Sequence, residues 1–208
     1  IKVIHKSNGG LMNAWIDGVK NAQSELITFV DGDDFVSKDF IGELYKSITE
    51  TNADIAVCDY YDYIENNPHA VSQLSSKNEF IKTSKFNCVE MFWGKNKIVH
   101  SRWNKIYKKS LLIECLQYLN PKITMGEDLN LNFVAFYKAH KVAYINKPLY
   151  FYRMVDNSMS KAKKNFWPSY SLLIEALVNF INEEHITEPA VKNVLHKYIF
   201  EFYKFTAQ

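Results

Sequence analysis

The residues best able to do chemistry form an acidic run, Asp31-Gly32-Asp33-Asp34, directly after the apolar stretch Ser24–Val30. Read as extended backbone, residues i and i+2 point the same way, so Asp31 and Asp33 are expected to face one site. Clustered carboxylates suit a hard divalent cation, Mg²⁺ or Mn²⁺, which keeps open positions for phosphate oxygens. Such an ion neutralises charge that builds up on a departing diphosphate. Taken alone, the run reads just as readily as a solvated acidic turn. A metal-dependent phosphohydrolase also places Asp-x-Asp after an apolar strand. Here, however, Phe35 stands where Thr or Val would follow, and no downstream acidic pair has a suitable lysine ahead of it.

These residues need elements to carry them. Ile1–His5 is strand-like, and Leu11, Ala14, Trp15, Val19 and Ala22 fall on roughly one helical face. Glu25–Val30 and Ala53–Cys58 read as buried strands, with Ser37 as the cap of a helix running to Glu50 between them. Strand, helix, strand in alternation predicts an α/β fold with a mostly parallel sheet flanked by helices. The carboxyl edge of such a sheet is where ligands bind. Farther on, Thr83 is expected to cap a helix through Phe92 and Ser110 to start a short one. Gly126–Ala139 reads as helix, Val142–Ile145 as strand, and Lys147-Pro148 as a break. Two amphipathic helices, Pro168–Glu183 and Glu188–Phe205, close the chain, with Leu172, Leu173, Ala176, Leu177, Phe180 and Ile181 as an apolar stripe.

Composition narrows the classes. Hydrophobic residues make up 47% of the 208 and the net charge is +2, so a real core is expected and bulk nucleic-acid binding is not. Cys58, Cys88 and Cys115 are too few and too far apart for a disulfide framework or a zinc site. No apolar run reaches the roughly 18 residues that span a bilayer. The expectation is a soluble, cytoplasmic protein.

Four blocks together resemble family 2 glycosyltransferases of bacterial capsule and wall polysaccharide synthesis. They are His5–Val36, with its basic residue, N-G-G-L and D-x-D-D; Arg102–Leu112, RWNKIYKKSLL; Met125–Phe133, MGEDLNLNF; and Ile145–Ser160, INKPLYFYRMVDNSMS. The resemblance implies a GT-A (Rossmann-like) fold, a nucleotide-diphosphate sugar donor (a UDP-sugar foremost) and inversion at the anomeric carbon. It implies a core over residues 1–160, with a helical segment over 161–208 packed on it. It assigns Asp31, Asp33 and Asp34 to the metal, ribose and diphosphate region, and Asn8, Gly9 and Gly10 to the donor. It assigns Asp128 to the catalytic base, with Glu127 beside it. The family's two opening strands would precede Ile1, so the chain is expected to be an amino-terminally truncated core, and a non-catalytic scaffold is the competing reading. Where the family usually carries A-R-N, this chain has Ala14-Trp15-Ile16.

The chemistry agrees with those assignments. A sugar hydroxyl is a poor nucleophile, so a carboxylate within hydrogen-bond reach should take its proton. It must lie opposite the leaving diphosphate, hence on a different element from the acidic run. Glu127-Asp128 can equally be helix-start acids that complement the dipole. Arg153, with Ser158 and Ser160 nearby, can hold a diphosphate by charge-assisted hydrogen bonds, and Lys105 is a second candidate for that anion. Trp103 reads as core or as an acceptor platform. The acceptor would be a saccharide or a lipid-linked saccharide. Lys161, Lys163 and Lys164 with Phe166 and Trp167 fit either a peripheral contact with the membrane's inner face or a solvated basic loop.

Overall fold

In a computed structural model, residues 1–64, 67–71, 80–82, 98–154 and 166–206 are described. The elements in chain order are α1 (Leu11–Asn21), β1 (Leu26–Thr28), β2 (Phe35–Val36), α2 (Phe40–Thr51), β3 (Ile55–Ile64), β4 (Asn67–Val71), β5 (Phe80–Lys82), β6 (Lys105–Lys108), α3 (Lys109–Cys115), α4 (Glu127–Lys138), β7 (Val142–Arg153), α5 (Trp167–Glu183) and α6 (Pro189–Thr206). A single 3₁₀ turn, Leu116–Tyr118, follows α3.

One sheet in the order β1-β6-β3-β7-β2 forms the middle layer, with β4 added to β3 and β5 to β7. The fold is α/β as expected, but the sheet is mixed. Among the described pairs only β3 and β7 run parallel. The alternation of strand and helix correctly gives β1 and β3 one direction. It could not reveal that β6, far along the chain, inserts antiparallel between them.

Side chains alternate across the sheet, as a pleated strand requires. Ala56, Cys58, Ile106, Ala143 and Ile145 meet Phe40, Leu44 and Ile48 of α2 on one face. Ile55, Val57, Tyr107, Val142 and Tyr144 meet α1, α3 and α4 on the other. Leu173, Ala176, Leu177, Phe180 and Ile181 of α5 and Val191, Val194 and Leu195 of α6 join that same cluster, with Leu172 half-buried against it. The terminal helices thus pack on the rest of the fold through the stripe read in the sequence. Helix α4 lies between sheet and α5, which is why every residue from Leu129 to Tyr137 is buried.

Three local expectations are corrected. Ile1–His5 forms no strand, because no described strand pairs with it, and Ile1, Val3 and Ile4 are exposed. Ser37 does not cap α2. The helix begins after Asp39, while Ser37 donates its N–H to the Leu149 carbonyl and its hydroxyl is buried without a partner among the described residues. Lys147-Pro148 does not break β7. Pro148 sits opposite Asp59 where the β3–β7 register shifts, and an irregularity of that kind tolerates a residue with no N–H to donate. The helix expected from Thr83 lies outside the described residues. No described helix is long and apolar enough to cross a membrane.

Candidate functional site

The antiparallel β1–β6 pair makes the site. Thr28 at the end of β1 lies opposite Ile106 near the start of β6, and its hydroxyl donates to the Lys105 carbonyl at 2.7 Å. The segment leaving β1 and the segment entering β6 therefore meet at one sheet edge. Asp31 comes from the first and Arg102 from the second.

Residues 31–34 form a turn, with the Asp34 N–H donating to the Asp31 carbonyl at 3.1 Å. The extended-backbone argument for a shared Asp31–Asp33 face therefore fails. Asp31 accepts from Arg102 Nη2 at 2.5 Å. Asp34 has different partners, accepting from the Tyr150 hydroxyl at 2.7 Å and from the Arg153 N–H at 2.8 Å. Tyr150 fastens the turn a second time by accepting the Asp31 N–H. Asp33 is exposed, with no hydrogen bond among the described residues. Burial raises the Asp31 pKa, opposed by Arg102 and reinforced by Asp128, Asp34 and Asp33. Burial also raises that of Asp34, against the pull of its Arg153 and Tyr150 hydrogen bonds.

The three carboxylates expected to share a cation thus differ in their partners. Among the described residues no three His, Cys, Asp or Glu side chains converge as a preformed metal cage. A cation that arrives with a diphosphate asks less, since Mg²⁺ uses one or two carboxylates and fills its other positions with phosphate and water. Asp33, free and exposed, fits that role as it stands. Asp31 fits it on release from Arg102.

The second acidic pair opens α4. Gly126 precedes it at φ 91°, a left-handed conformation, and a Cβ there would lie 2.7 Å from Leu173 Cδ2. Glycine is thus required twice over, by backbone and by space. Asp128 accepts from Arg102 Nη1 at 2.5 Å and from the Arg102 N–H at 3.2 Å. Glu127 has its pKa raised by burial and then by Asp128, while its own backbone N–H and Arg102 pull it down.

Arg102 joins the two acidic groups, and the sequence reading passed over it. Its side chain is only 4% exposed and its guanidinium lies 5.9 Å from the Phe29 ring centroid. Burial works against its charge, but Asp128 and Asp31 outweigh burial and its pKa is raised. The loop carrying it is anchored from inside. Lys105, expected to meet an anion, is fully buried instead, and its ammonium donates to the carbonyls of Val99 and Ser101 and to Asn104 Oδ1 at 2.5–2.7 Å. Burial lowers its pKa to about 7 against the opposing pull of Asp128. Asn104 donates to the Cys58 carbonyl, and Asn132 of α4 donates to the His100 and Asp128 carbonyls while accepting from the Tyr107 hydroxyl. The legible signal was Arg102, Asn104 and Lys105 at the entry to a buried strand, and Asn132 on an apolar helix.

The remaining expected residues are less engaged. Asn8, Gly9 and Gly10 are exposed at the start of α1. Asn8 Oδ1 accepts from the Gly10 N–H, and the Gly9 carbonyl accepts from the Asn13 amide. Arg153 is exposed, with its guanidinium 5.9 Å from the Phe35 ring centroid. Trp103 is buried, stacked on Tyr150 and Tyr152, so it is core rather than platform. Ser158, Ser160, Lys161, Lys163 and Lys164 lie outside the described residues. Trp167, beside the lysine cluster, is exposed.

Known proteins bear on this arrangement. The model of a family described as glycosyl transferase family 2 matches residues 1–116. Glycosyltransferase GlyA of Streptococcus pneumoniae serotype 4 is 34% identical over 188 residues, 88% of this chain and 26% of that protein. The cholesterol galactosyltransferase of Borreliella burgdorferi is 28% identical over 99% of this chain and 58% of its own length. The crystal structure of S. aureus TarS 1–349 in complex with UDP-GlcNAc superposes with a TM-score of 0.74 at 18% identity, over 98% of this chain and 56% of that one. At that identity the likeness speaks for the fold alone. The chain spans about a quarter to just under three-fifths of the length of the curated relatives it matches.

Proposed function

The chain belongs to glycosyl transferase family 2, and from that premise we propose that it is the core of an inverting enzyme that moves a sugar from a UDP-sugar to an acceptor hydroxyl. The observation that carries this reading is the meeting of Asp31 and Asp128, from separate elements, on the two ends of one guanidinium. Transfer needs negative charge managed at the departing diphosphate and a proton removed from the incoming hydroxyl, on opposite sides of the anomeric carbon. The 31–34 turn serves the first need and the start of α4 the second.

Asp33, with Asp31, would hold a Mg²⁺ or Mn²⁺ ion that arrives with the donor, and such an ion supplies neutralising charge for the leaving diphosphate. Asp128 takes the acceptor proton, with Glu127 available to orient an acceptor hydroxyl. Arg153, exposed near the turn, adds positive charge on the donor side. Asn8, Gly9 and Gly10 are assigned to the nucleotide portion. The acceptor is a saccharide or lipid-linked saccharide of a cell-surface polysaccharide, reached from the cytoplasmic side of the membrane. Residues 1–160 form the transferase core and residues 161–208 its helical support.

The UDP part of the reading is suggested by TarS, whose structures are described with UDP-GlcNAc and with UDP. The test incubates the full chain with UDP-GlcNAc, UDP-glucose or UDP-galactose, with and without Mn²⁺, and follows UDP release. Metal-dependent release from at least one donor is expected. Release of phosphate from simple phosphomonoesters with no UDP release would transfer the assignment to a phosphohydrolase.

A further inference from the structure

Asp31 and Asp128 are separated in sequence, and each raises the pKa of its neighbours by its charge, so bringing them together is unfavourable unless something positive stands between them. That positive group is Arg102. Nη1 reaches Asp128 and Nη2 reaches Asp31, each at 2.5 Å, so one guanidinium bridges the two carboxylates with charge-assisted hydrogen bonds. The group is not a loose surface side chain that happened to settle there. It is almost fully buried, its backbone N–H is committed to Asp128, and its loop is pinned by Lys105, Asn104 and Asn132. Its Nε is buried with no partner among the described residues, so the terminal nitrogens carry the anchoring.

A guanidinium in that place does what a divalent cation would do. It neutralises both carboxylates and fixes their separation. It also occupies Asp31 Oδ1, one of the two oxygens that carboxylate could offer an ion. Two consequences follow from one contact. Bare metal is disfavoured at Asp31 until a diphosphate adds its own ligands, and Asp128 is held in a fixed orientation by two donors of one residue.

We propose that Arg102 is a positioning residue that fills the cation position between Asp31 and Asp128, withholding Asp31 from bare metal and aiming Asp128. The aiming half rests on the transferase reading above. The metal half does not, because it concerns two carboxylates and a competing cation.

The probe is Mn²⁺ alone, titrated calorimetrically into the full chain without nucleotide. Arg102→Gln should bind Mn²⁺ at least tenfold more tightly than the wild type, and adding Asp31→Asn to that variant should abolish the gain. Unchanged or weaker Mn²⁺ binding by a folded Arg102→Gln overturns the proposal. Should that variant fail to fold by circular dichroism, Asp31→Asn in the wild-type background decides. It should leave bare Mn²⁺ affinity unchanged, since Arg102 already occupies Asp31, and a loss of binding would show that Asp31 serves the ion directly. With UDP-GlcNAc as donor, Arg102→Lys should keep KM within about threefold and recover part of the kcat lost in Arg102→Gln, which a purely structural role would not produce. A wild type inert towards every UDP-sugar would sink the UDP-sugar reading and leave the Mn²⁺ result to judge this one.

Discussion

The two acidic groups are built on opposite principles. Asp31–Asp34 occupies a turn whose shape is borrowed from elsewhere: Tyr150 and the Arg153 backbone, more than a hundred residues away in sequence, hold it by hydrogen bonds. Its third acid, Asp33, is left in solvent. Glu127-Asp128 instead begins a helix buried along nearly its whole length, behind a glycine locked against α5. The first group is held by a few hydrogen bonds and the Asp31–Arg102 ion pair, which a ligand can exchange without moving packed core side chains. The second cannot move without disturbing the core. A donor carrying its own charge and metal calls for adaptable ligands, whereas a proton acceptor calls for fixed aim.

That contrast can be broken at Gly126 first. Gly126→Ala adds a Cβ against Leu173 and strains a left-handed backbone, together about 2–4 kcal/mol. The thermal midpoint should fall sharply, and transfer should fall with it in whatever fraction stays folded. An unchanged midpoint would mean that the start of α4 is not held by α5. Next comes Asn132→Leu, which strips the amide tying α4 to the His100 carbonyl and strands the Tyr107 hydroxyl, a loss of about 1–3 kcal/mol. Here denaturant unfolding should show the loss and kcat should fall more than donor affinity. A selective rise in KM instead would move Asn132 to the donor side. The mildest is Tyr150→Phe, which removes the clasp on the turn at about 1 kcal/mol. Donor KM should rise several-fold while kcat holds. An equal fall in kcat would erase the distinction between an adaptable and a fixed acidic group.

The sequence carried the fold far but the site only halfway. The apolar stripe of α5 and the apolar run that opens β3 gave their burial correctly, since such patterns are local properties. Ile1–His5 has the same strand signal without a partner among the described residues, and pairing is not local. Asp31 and Asp128 were legible as acids at element boundaries. Their link through Arg102 was not, because it depends on β6 running antiparallel beside β1, a pairing across some eighty residues that residue patterns do not encode. Lys105 shows the same limit from the other side. A lysine in a motif reads as a ligand for an anion, and only the three acceptors around it show an interior anchor.

Whether the two acidic groups divide the work is decided by donor-binding calorimetry with and without Mn²⁺, paired with transfer assays, on Asp128→Asn and Asp33→Asn in the full chain. Asp128→Asn keeps shape and removes basicity, so UDP-sugar binding should persist while turnover falls by roughly 10²–10⁴. Asp33→Asn should weaken the Mn²⁺-dependent part of donor binding, because the diphosphate loses a neutralising partner. Near-normal transfer by Asp128→Asn would pass the base to Glu127. Loss of donor binding in Asp128→Asn, with none in Asp33→Asn, would exchange the two roles.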